Sequence, residues 1–517
     1  MKITFISIVD ELSGMNSRSL CAYVRSLGHE SNIVFLPTPI TLKSYSQAIL
    51  EQTVSLLKDS DVVGISVITS LYFLAAQLSE AIREGTTSKI LWGGIHTSIC
   101  PEQCLEHADW VCVGEGELVL KSIVSGIPVS MIAGLWYKEN GIIVKNGCSQ
   151  MISDLSTLPY QNFTFDCHYL IDPIYPTDTP EKLTAAIYYE RCSRKYQDTK
   201  GKYKCFYKTM TSRGCPYSCS YCNNSVHHSM YTAKHFRKRS IDQVLDELEK
   251  VCGDNDFIEY IHFADDSFLS RSTGEIIEFC RMYKDKISLP FRIIASPDTL
   301  NDEKLSHLIN AGLCDVCMGI QSGSQHALKR YNRTIKTEQV LEATKLLNRY
   351  KDYMLPPRYD IICNDPFSSP DEERETIVFL ASIPKPRTFV YFNLVLYPGT
   401  QLNELARNQG LLKDEIEDLC ECSFVCVPTD FYDLLLLTLN LEYFPRWAVR
   451  ILSYPLFYRA TMRFPVLNKI AFGMYDNVIK KFDLLIHLIR AGEMKTIYLS
   501  FQNRISSLFR KSKWRKV

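Results

Sequence analysis

Two successive α/β units, a doubly wound parallel sheet and then a run of six βα repeats, closed by a basic helical segment, are the architecture that this 517-residue sequence predicts. Three observations carry the prediction. Residues 1 to about 125 alternate short β-branched runs with amphipathic stretches, and residues 206–395 do so again. Glycine pairs and polar clusters fall just after the strand segments, where parallel sheets gather their ligands. At about 150 residues per domain the length allows two to four hydrophobic cores.

In the first unit the strands are Lys2–Val9, Ser31–Leu36, Asp61–Val67, Lys89–Trp92 and Trp110–Val113. The helices between them are Ser17–Leu27, Leu42–Leu57, Leu71–Glu84 and Pro101–His107. This order predicts a five-stranded, flavodoxin-like doubly wound domain over residues 1–125. Its informative loops are Asp10–Gly14, Ser66–Thr69, Gly93-Gly94-Ile95-His96 and Gly114-Glu115-Gly116-Glu117, whose glycines let backbone approach a bulky ligand. Residues 126–200 then read as a β-hairpin turning at Asn140-Gly141, an extended linker from Asp154, and a polar loop over Tyr188–Lys204.

The second unit, residues 201–410, opens with a strand from Phe206 to Thr211, then Ser212-Arg213-Gly214 and Cys215-Pro-Tyr-Ser-Cys219-Ser-Tyr-Cys222. Helices follow from Ser240 (N-cap) to Val251, Gly274–Tyr283, Asp302–Ala311, Thr337–Tyr350 and Pro370–Leu380. The strands between and after them are Phe257–Phe263, Pro290–Ala295, Cys314–Ile320, Arg358–Cys363 and Thr388–Val395. With 19 cysteines in the chain, such a triplet should arise by chance only about 0.03 times. Three closely spaced thiolates can hold three irons of a [4Fe-4S] cluster and leave the fourth open. Zinc prefers a closed tetrahedral set, and the one rival ligand pair nearby, His227-His228, reads as surface histidines. Cys314 and Cys317 lie in an apolar run and read as buried thiols. Cys420, Cys422 and Cys426 leave two readings open, a second cluster or packing.

With Gly214 before it and Tyr221 before its third cysteine, the triplet resembles the signature of the radical S-adenosylmethionine (radical SAM) superfamily. The resemblance implies a partial (βα)6 TIM-type barrel with the cluster on Cys215, Cys219 and Cys222. It implies that SAM chelates the open iron and is cleaved by one electron, from an external flavodoxin or ferredoxin, to methionine and a 5′-deoxyadenosyl radical. The SAM-binding residues it implies are Tyr221, Asp265, Asp266, Gln321 and Arg333, with Arg333 preferred to Arg330. Gln321 stands where relatives usually carry Glu, which removes a charge. Asp360-Ile-Ile-Cys-Asn-Asp365-Pro366 lacks a glycine of the family's I-x-G-x-P-G, while Pro398-Gly399-Thr400 matches a late turn that closes the core.

The loops of the first unit resemble the cobalamin-binding domain fused to many radical SAM enzymes, and Ser66, Thr69, Gly93, Gly94 and Glu115 are the residues implied for cobalamin. The loop after the first strand lacks D-x-H-x-x-G, so the usual imidazole is absent there, and an empty scaffold is the rival reading.

Charge is balanced, 58 Lys+Arg against 58 Asp+Glu, which argues against a nucleic-acid partner for the body of the chain. The balance is a cancellation, since Tyr443–Val517 carries 15 basic residues and 3 acidic ones. Helical spacing of Val478, Phe482, Leu485, Ile486 and Ile489 predicts a helical cap over residues 411–517. The tail Phe509–Val517 interleaves Trp and Phe with basic groups, so peripheral membrane contact and a lipophilic substrate join the expectations. The first ten residues lack signal-peptide features and no apolar run reaches about 18 residues, so a cytoplasmic location is expected. The activity expected is C-methylation of an unactivated carbon in a small molecule. The alternatives are a cyclisation or rearrangement without methyl transfer, and a non-catalytic iron-sulfur sensor.

Overall fold

The computed structural model describes residues 1–486 other than 10, 40, 232–235, 413–425, 427, 484 and 485. Strands β1 (Lys2–Ser7), β2 (Glu30–Phe35), β3 (Val62–Ser66), β4 (Lys89–Gly93) and β5 (Trp110–Cys112) form a parallel sheet ordered β5-β4-β3-β1-β2. Helices on both faces explain why these strands read as near-continuous apolar runs. Trp92, fully buried, donates its indole N–H to Ser79 Oγ at 2.9 Å.

The sheet is larger than the sequence predicts. Strands β6 (Leu135–Glu139) and β7 (Ile142–Lys145) add antiparallel to β5, while β8 (Tyr169–Leu170) and β9 (Glu181–Lys182) extend the opposite edge beside β2. The hairpin turns with positive φ at Asn140 (51°) and Gly141 (79°), the conformation that matches strand twist. Residues 126–200 therefore cover both edges of the first sheet, sparing it two rows of unpaired amides. The polar stretch 188–204 is likewise ordered. A helix Ala185–Cys192 and a hairpin of β10 (Tyr196–Gln197) with β11 (Tyr203–Lys204) bury the rings of Tyr188 and Tyr196.

The second sheet takes its six strands in chain order, all parallel: β12 (Phe206–Thr209), β15 (Tyr260–Phe263), β16 (Phe291–Ala295), β17 (Leu313–Gln321), β18 (Arg358–Cys363) and β19 (Thr388–Asn393). A short antiparallel pair, β13 (Ser212–Arg213) with β14 (Arg237–Lys238), follows β12. Since β12 and β19 are not paired, this is the partial barrel expected. Ser240, Ser272 and Ser369 cap the helices Ile241–Asp254, Thr273–Lys286 and Pro370–Ser382, each oxygen accepting the N–H three residues on.

Beyond the barrel come short helices, Phe431–Thr438, Arg446–Leu452, Pro455–Arg463 and Pro465–Met474. Leu434 and Leu435 are buried, whereas Trp447, Leu456 and Val466 are exposed. Cys420, Cys422, Leu485, Ile489 and the tail Phe509–Val517 lie outside the described residues. No helix among the described residues is long and apolar enough to cross a membrane.

Candidate functional site

The cysteine triplet occupies the loop leaving β12, where Gly214 takes φ 80°. Three segments hold that loop. Ser220 N–H donates to Tyr331 O and Ser220 Oγ to Arg330 O, at 3.1 and 2.7 Å. Asn332 Nδ2 donates to Ser218 O at 2.7 Å, and Leu402 N–H, past the Pro398-Gly399-Thr400 turn, donates to Ser220 O at 3.1 Å. His228 donates its Nε2–H to Cys215 O at 2.6 Å. The expectation of two surface histidines is thus corrected, because His228 pins the loop and His227, one residue earlier on the helix Asn223–Met230, lines a cavity.

Burial pushes the thiols of Cys215 and Cys222 up, to about 12 and about 11, and each is also raised by neighbouring cysteines of the triplet and by Asp266. For Cys219 burial again raises the pKa, while Arg333 beside it opposes. The three side chains therefore face one another around a single loop. Among the described residues no trio of His, Cys, Asp or Glu converges tightly enough for a single metal ion. A cuboidal cluster takes its cysteines at separate corners, so this donor set fits a [4Fe-4S] cluster with three protein ligands.

Around the loop the residues expected at SAM separate into two groups. Arg333 Nη2 donates to Gly319 O at 3.0 Å, its Nη1 lies 3.5 Å from Tyr221 Oη, and its charge reaches Cys219. Gln321, at φ 70°, folds back so closely that a Cβ on Gly319 would sit 2.6 Å from its Nε2. Tyr221, Gln321 and Arg333 thus form one wall. Asp266 is solvent-exposed beside Cys215 and Cys222, with packed protein on its other sides pushing its carboxyl up. Asp265 departs from expectation. Fully buried, it accepts from Thr211 N–H and Oγ1 and from Ser212 Oγ at 2.5 to 3.1 Å, so its carboxylate holds the start of the cluster loop. Arg330 is bound by Asp365 and Glu372 at 2.8 and 3.0 Å, which leaves Arg333 as the arginine facing the loop.

Where relatives carry glycine after β18, Asn364 keeps the left-handed backbone, at φ 52°. Asn tolerates that region better than other residues with a Cβ. The backbone shape for which glycine was missed in the sequence is therefore retained.

Between the two units lies a cavity of about 330 Å³. Ser66, Gly94, Gly114 and Glu115 line it from the first sheet; Met210, Arg213 and His227 line it from the barrel. A second cavity of about 340 Å³ shares Met15, Asn16 and Ser66 with it. Gly94 has φ 104°, and a Cβ there would lie 2.8 Å from Val67 O, so only glycine fits. Gly93 has no such crowding, its nearest neighbour being Cys112 Cβ at 3.9 Å. Thr69 is buried with Oγ1 3.2 Å from His96 Nδ1, and burial holds His96 neutral, at about 4. Thr69 thus braces the G-G-x-H loop from below. Gly94 and the small side chain of Ser66 let a bulky ligand such as a corrinoid approach the first cavity closely.

Glu115 lines the cavity, but its carboxylate is already committed. Arg237 donates to both of its oxygens at 2.5 and 3.0 Å, and Arg213 approaches at 3.6 Å while also binding Glu117 at 2.6 Å. Arg213 stands two residues before Cys215. This charge clamp registers the cluster loop against the first sheet. Sequence periodicity missed Arg18 too. Its guanidinium is fully buried, donates to the carbonyls of Leu12, Ser13 and Asn162, and lies under the rings of Phe35, Phe163 and Tyr188. It fixes the loop after β1 that borders the second cavity, and a lone Arg in a helical pattern gives no signal of this.

Residues 209–380 match the model of the Radical SAM superfamily, and residues 1–124 that of the B12 binding domain. The chain is 26% identical over 371 residues, 68% of its length and 71% of the relative's, to an uncharacterized methyltransferase of Pyrococcus horikoshii. It is 24% identical to an anaerobic magnesium-protoporphyrin IX monomethyl ester cyclase of Cereibacter sphaeroides, over 56% of this chain but 44% of the cyclase. Among solved structures, the radical S-adenosylmethionine methyltransferase TsrM of Kitasatospora setae, with cobalamin and a [4Fe-4S] cluster bound, aligns with TM-score 0.59 and 16% identity, over 79% of this chain and 75% of TsrM.

Proposed function

The chain belongs to the radical SAM superfamily, with a B12-binding domain ahead of the radical SAM domain, and we propose that it methylates carbon in a small-molecule substrate. It is a radical SAM enzyme whose cofactors are a [4Fe-4S] cluster, SAM and cobalamin. Cys215, Cys219 and Cys222 would hold the cluster; Tyr221, Asp266, Gln321 and Arg333 would surround SAM; Ser66, Gly94 and Gly114 would border the corrinoid. When bound, the cluster and SAM supply a carbon-centred radical and the corrinoid supplies a transferable methyl group.

The observation that carries the reading is the cavity between the units, bounded by the first sheet's loop ends on one side and by the residues flanking the cluster loop on the other. A substrate carbon there would lie between the residues that would hold the corrinoid and those that flank the cluster loop. The clamp of Glu115 and Glu117 on Arg213 and Arg237 keeps the two walls in register. The matching methyltransferase relative supports the same reading. The decisive test is anaerobic purification with reconstitution and analysis of products. S-adenosylhomocysteine and 5′-deoxyadenosine, formed together by corrinoid-loaded protein, are expected. 5′-Deoxyadenosine alone would assign a cyclisation or rearrangement instead.

We propose further that the enzyme is cytoplasmic, draws its electron from flavodoxin or ferredoxin, and contacts an anionic membrane surface through its basic carboxyl-terminal segment. Trp447, Leu456, Phe464 and Val466 are more than half exposed in a stretch that also carries Arg446, Arg450, Arg459 and Arg463. Flotation with phosphatidylserine vesicles, and none with neutral ones, is the expected result.

A further inference from the structure

One rung of the barrel is unusually rich in charge. Lys208 on β12 pairs in register with His262 on β15, His262 with Arg292 on β16, and Arg292 with Asp315 on β17. Side chains one position away on each strand point to the opposite face. Tyr207 and Thr209 bond Glu247 of the outer helix Ile241–Asp254, so Lys208 points inward. Arg358 on β18 joins the rung by donating to Asp315 Oδ2 at 2.9 Å. Tyr196 lies across this layer, with Oη 3.0 Å from His262 Nδ1 and the Arg292 guanidinium 5.2 Å from its ring.

The rung opens toward the first sheet. Lys208 and Lys195 line the cavity of about 340 Å³ beside the loop after β1, and both bind one carboxylate, Glu11, at 3.0 and 2.5 Å. Those three groups sum to one positive charge. Behind them Arg292 is 7% exposed and its Nε has no hydrogen-bond partner, with Asp315 3.7 Å away. Asp360 faces the same interior, bonded to Cys317 Sγ at 3.3 Å, and burial pushes its carboxyl up. Four cations, Lys195, Lys208, Arg292 and Arg358, thus share this interior with three carboxyl groups, Glu11, Asp315 and Asp360. Low-dielectric walls focus such a surplus into the opening.

We propose that this cavity receives an anionic group of the substrate, a carboxylate or a phosphate, between Lys195 and Lys208. The assignment rests on the proposed reaction and adds the substrate's chemical class. An oxyanion entering here would lie between two lysines that Glu11 holds at the cavity wall. Arg292 behind is too buried to touch it and acts through its field.

The test is calorimetric titration of the reconstituted full chain with pyrophosphate and with succinate, at fixed ionic strength, with glycerol as the uncharged control. At least one anion should bind while glycerol does not. Lys208→Gln should weaken that binding about tenfold and Lys208→Arg should retain it. Glu11→Gln should tighten it about fivefold, since it frees both lysines from their shared counter-charge. A damaged fold cannot produce tighter binding, so the two variants must move in opposite directions. Equal affinity in wild type and both Gln variants, or no anion binding at all, overturns the proposal. So does displacement of bound cobalamin by pyrophosphate, which would give the site to the corrinoid's own phosphodiester. Failure of the functional reading is seen separately, as wild-type protein that neither retains corrinoid nor cleaves SAM.

Discussion

The cluster loop and the corrinoid-facing loops sit across one cavity, yet they are built on opposite plans. In the barrel the chemistry is concentrated in eight consecutive residues, Cys215–Cys222, braced by Ser220, His228 and Asn332. In the first sheet single residues from the ends of β3, β4 and β5 share the surface, and Glu115 among them is bound by Arg237. A concentrated site fails at one residue. A distributed one fails when its walls lose register.

The largest expected effect follows directly. Cys219→Ala removes one of three cluster ligands, and SAM cleavage should fall below about 1% of wild type with loss of bound iron and sulfide. Corrinoid content in the same protein should be unchanged. If it falls as well, the two walls are not independent and the contrast breaks.

Next in size is the clamp. Arg213→Ala strands Glu117, whose side chain is 5% exposed, and loosens Glu115. Removing one partner of such a pair should cost about 3 kcal/mol in urea unfolding. Corrinoid affinity should drop too, because the cavity's two walls lose register. Glu115→Gln sharpens the point: a stability loss comparable to its effect on corrinoid binding supports the clamp, while a pure corrinoid effect at unchanged stability restores the direct contact that the sequence suggested.

Acid should separate the units by a smaller margin. His96 and His168 in the first sheet are buried and held neutral, near 4 and 3, and His168 Nδ1 accepts Ile33 N–H at 3.1 Å. In the barrel His262 is held near 2 by burial and the cations around it. Each folded value lies below the free histidine's, so the unfolded chain takes up these protons first. The stabilisation is complete above about pH 6.5 and is lost as pH falls, at about 1.4 kcal/mol per pH unit per histidine. Two such groups in the first sheet against one in the barrel predict that hydrogen exchange at pH 5 accelerates in the first sheet, β2 and β8 included, before the barrel.

How much of this was legible in the sequence follows the same divide. Cys215, Cys219 and Cys222 announce themselves because cluster spacing is local, and β18 and the helix Asp302–Ala311 match their predicted bounds because strand and helix periods are local too. The roles of Glu115, Asp265 and Arg18 were not legible. Each depends on a partner 50 or more residues away that no period encodes, such as Arg237 for Glu115, Thr211 for Asp265 and Asn162 for Arg18. The hairpin was read correctly at Asn140-Gly141 but not its pairing with β5, since an edge strand carries no mark of its neighbour.

The smallest effect tests whether a missing motif residue matters. Asn364 replaces a glycine of the related pattern, yet φ 52° shows that the backbone shape is kept. Its Nδ2 donates to Asn393 Oδ1 at 2.6 Å, tying the end of β18 to that of β19. Asn364→Gly relieves the left-handed strain but loses that bond and adds chain entropy, so stability should change by less than about 0.5 kcal/mol. Asn364→Ala keeps the strain and loses the bond, and should cost about 1 to 2 kcal/mol in urea unfolding. Equal costs for the two would mean that the side-chain bond, and not backbone shape, is what the position supplies. The ordering Gly near wild type with Ala clearly below it would show that a departure from the pattern in sequence is no departure in conformation.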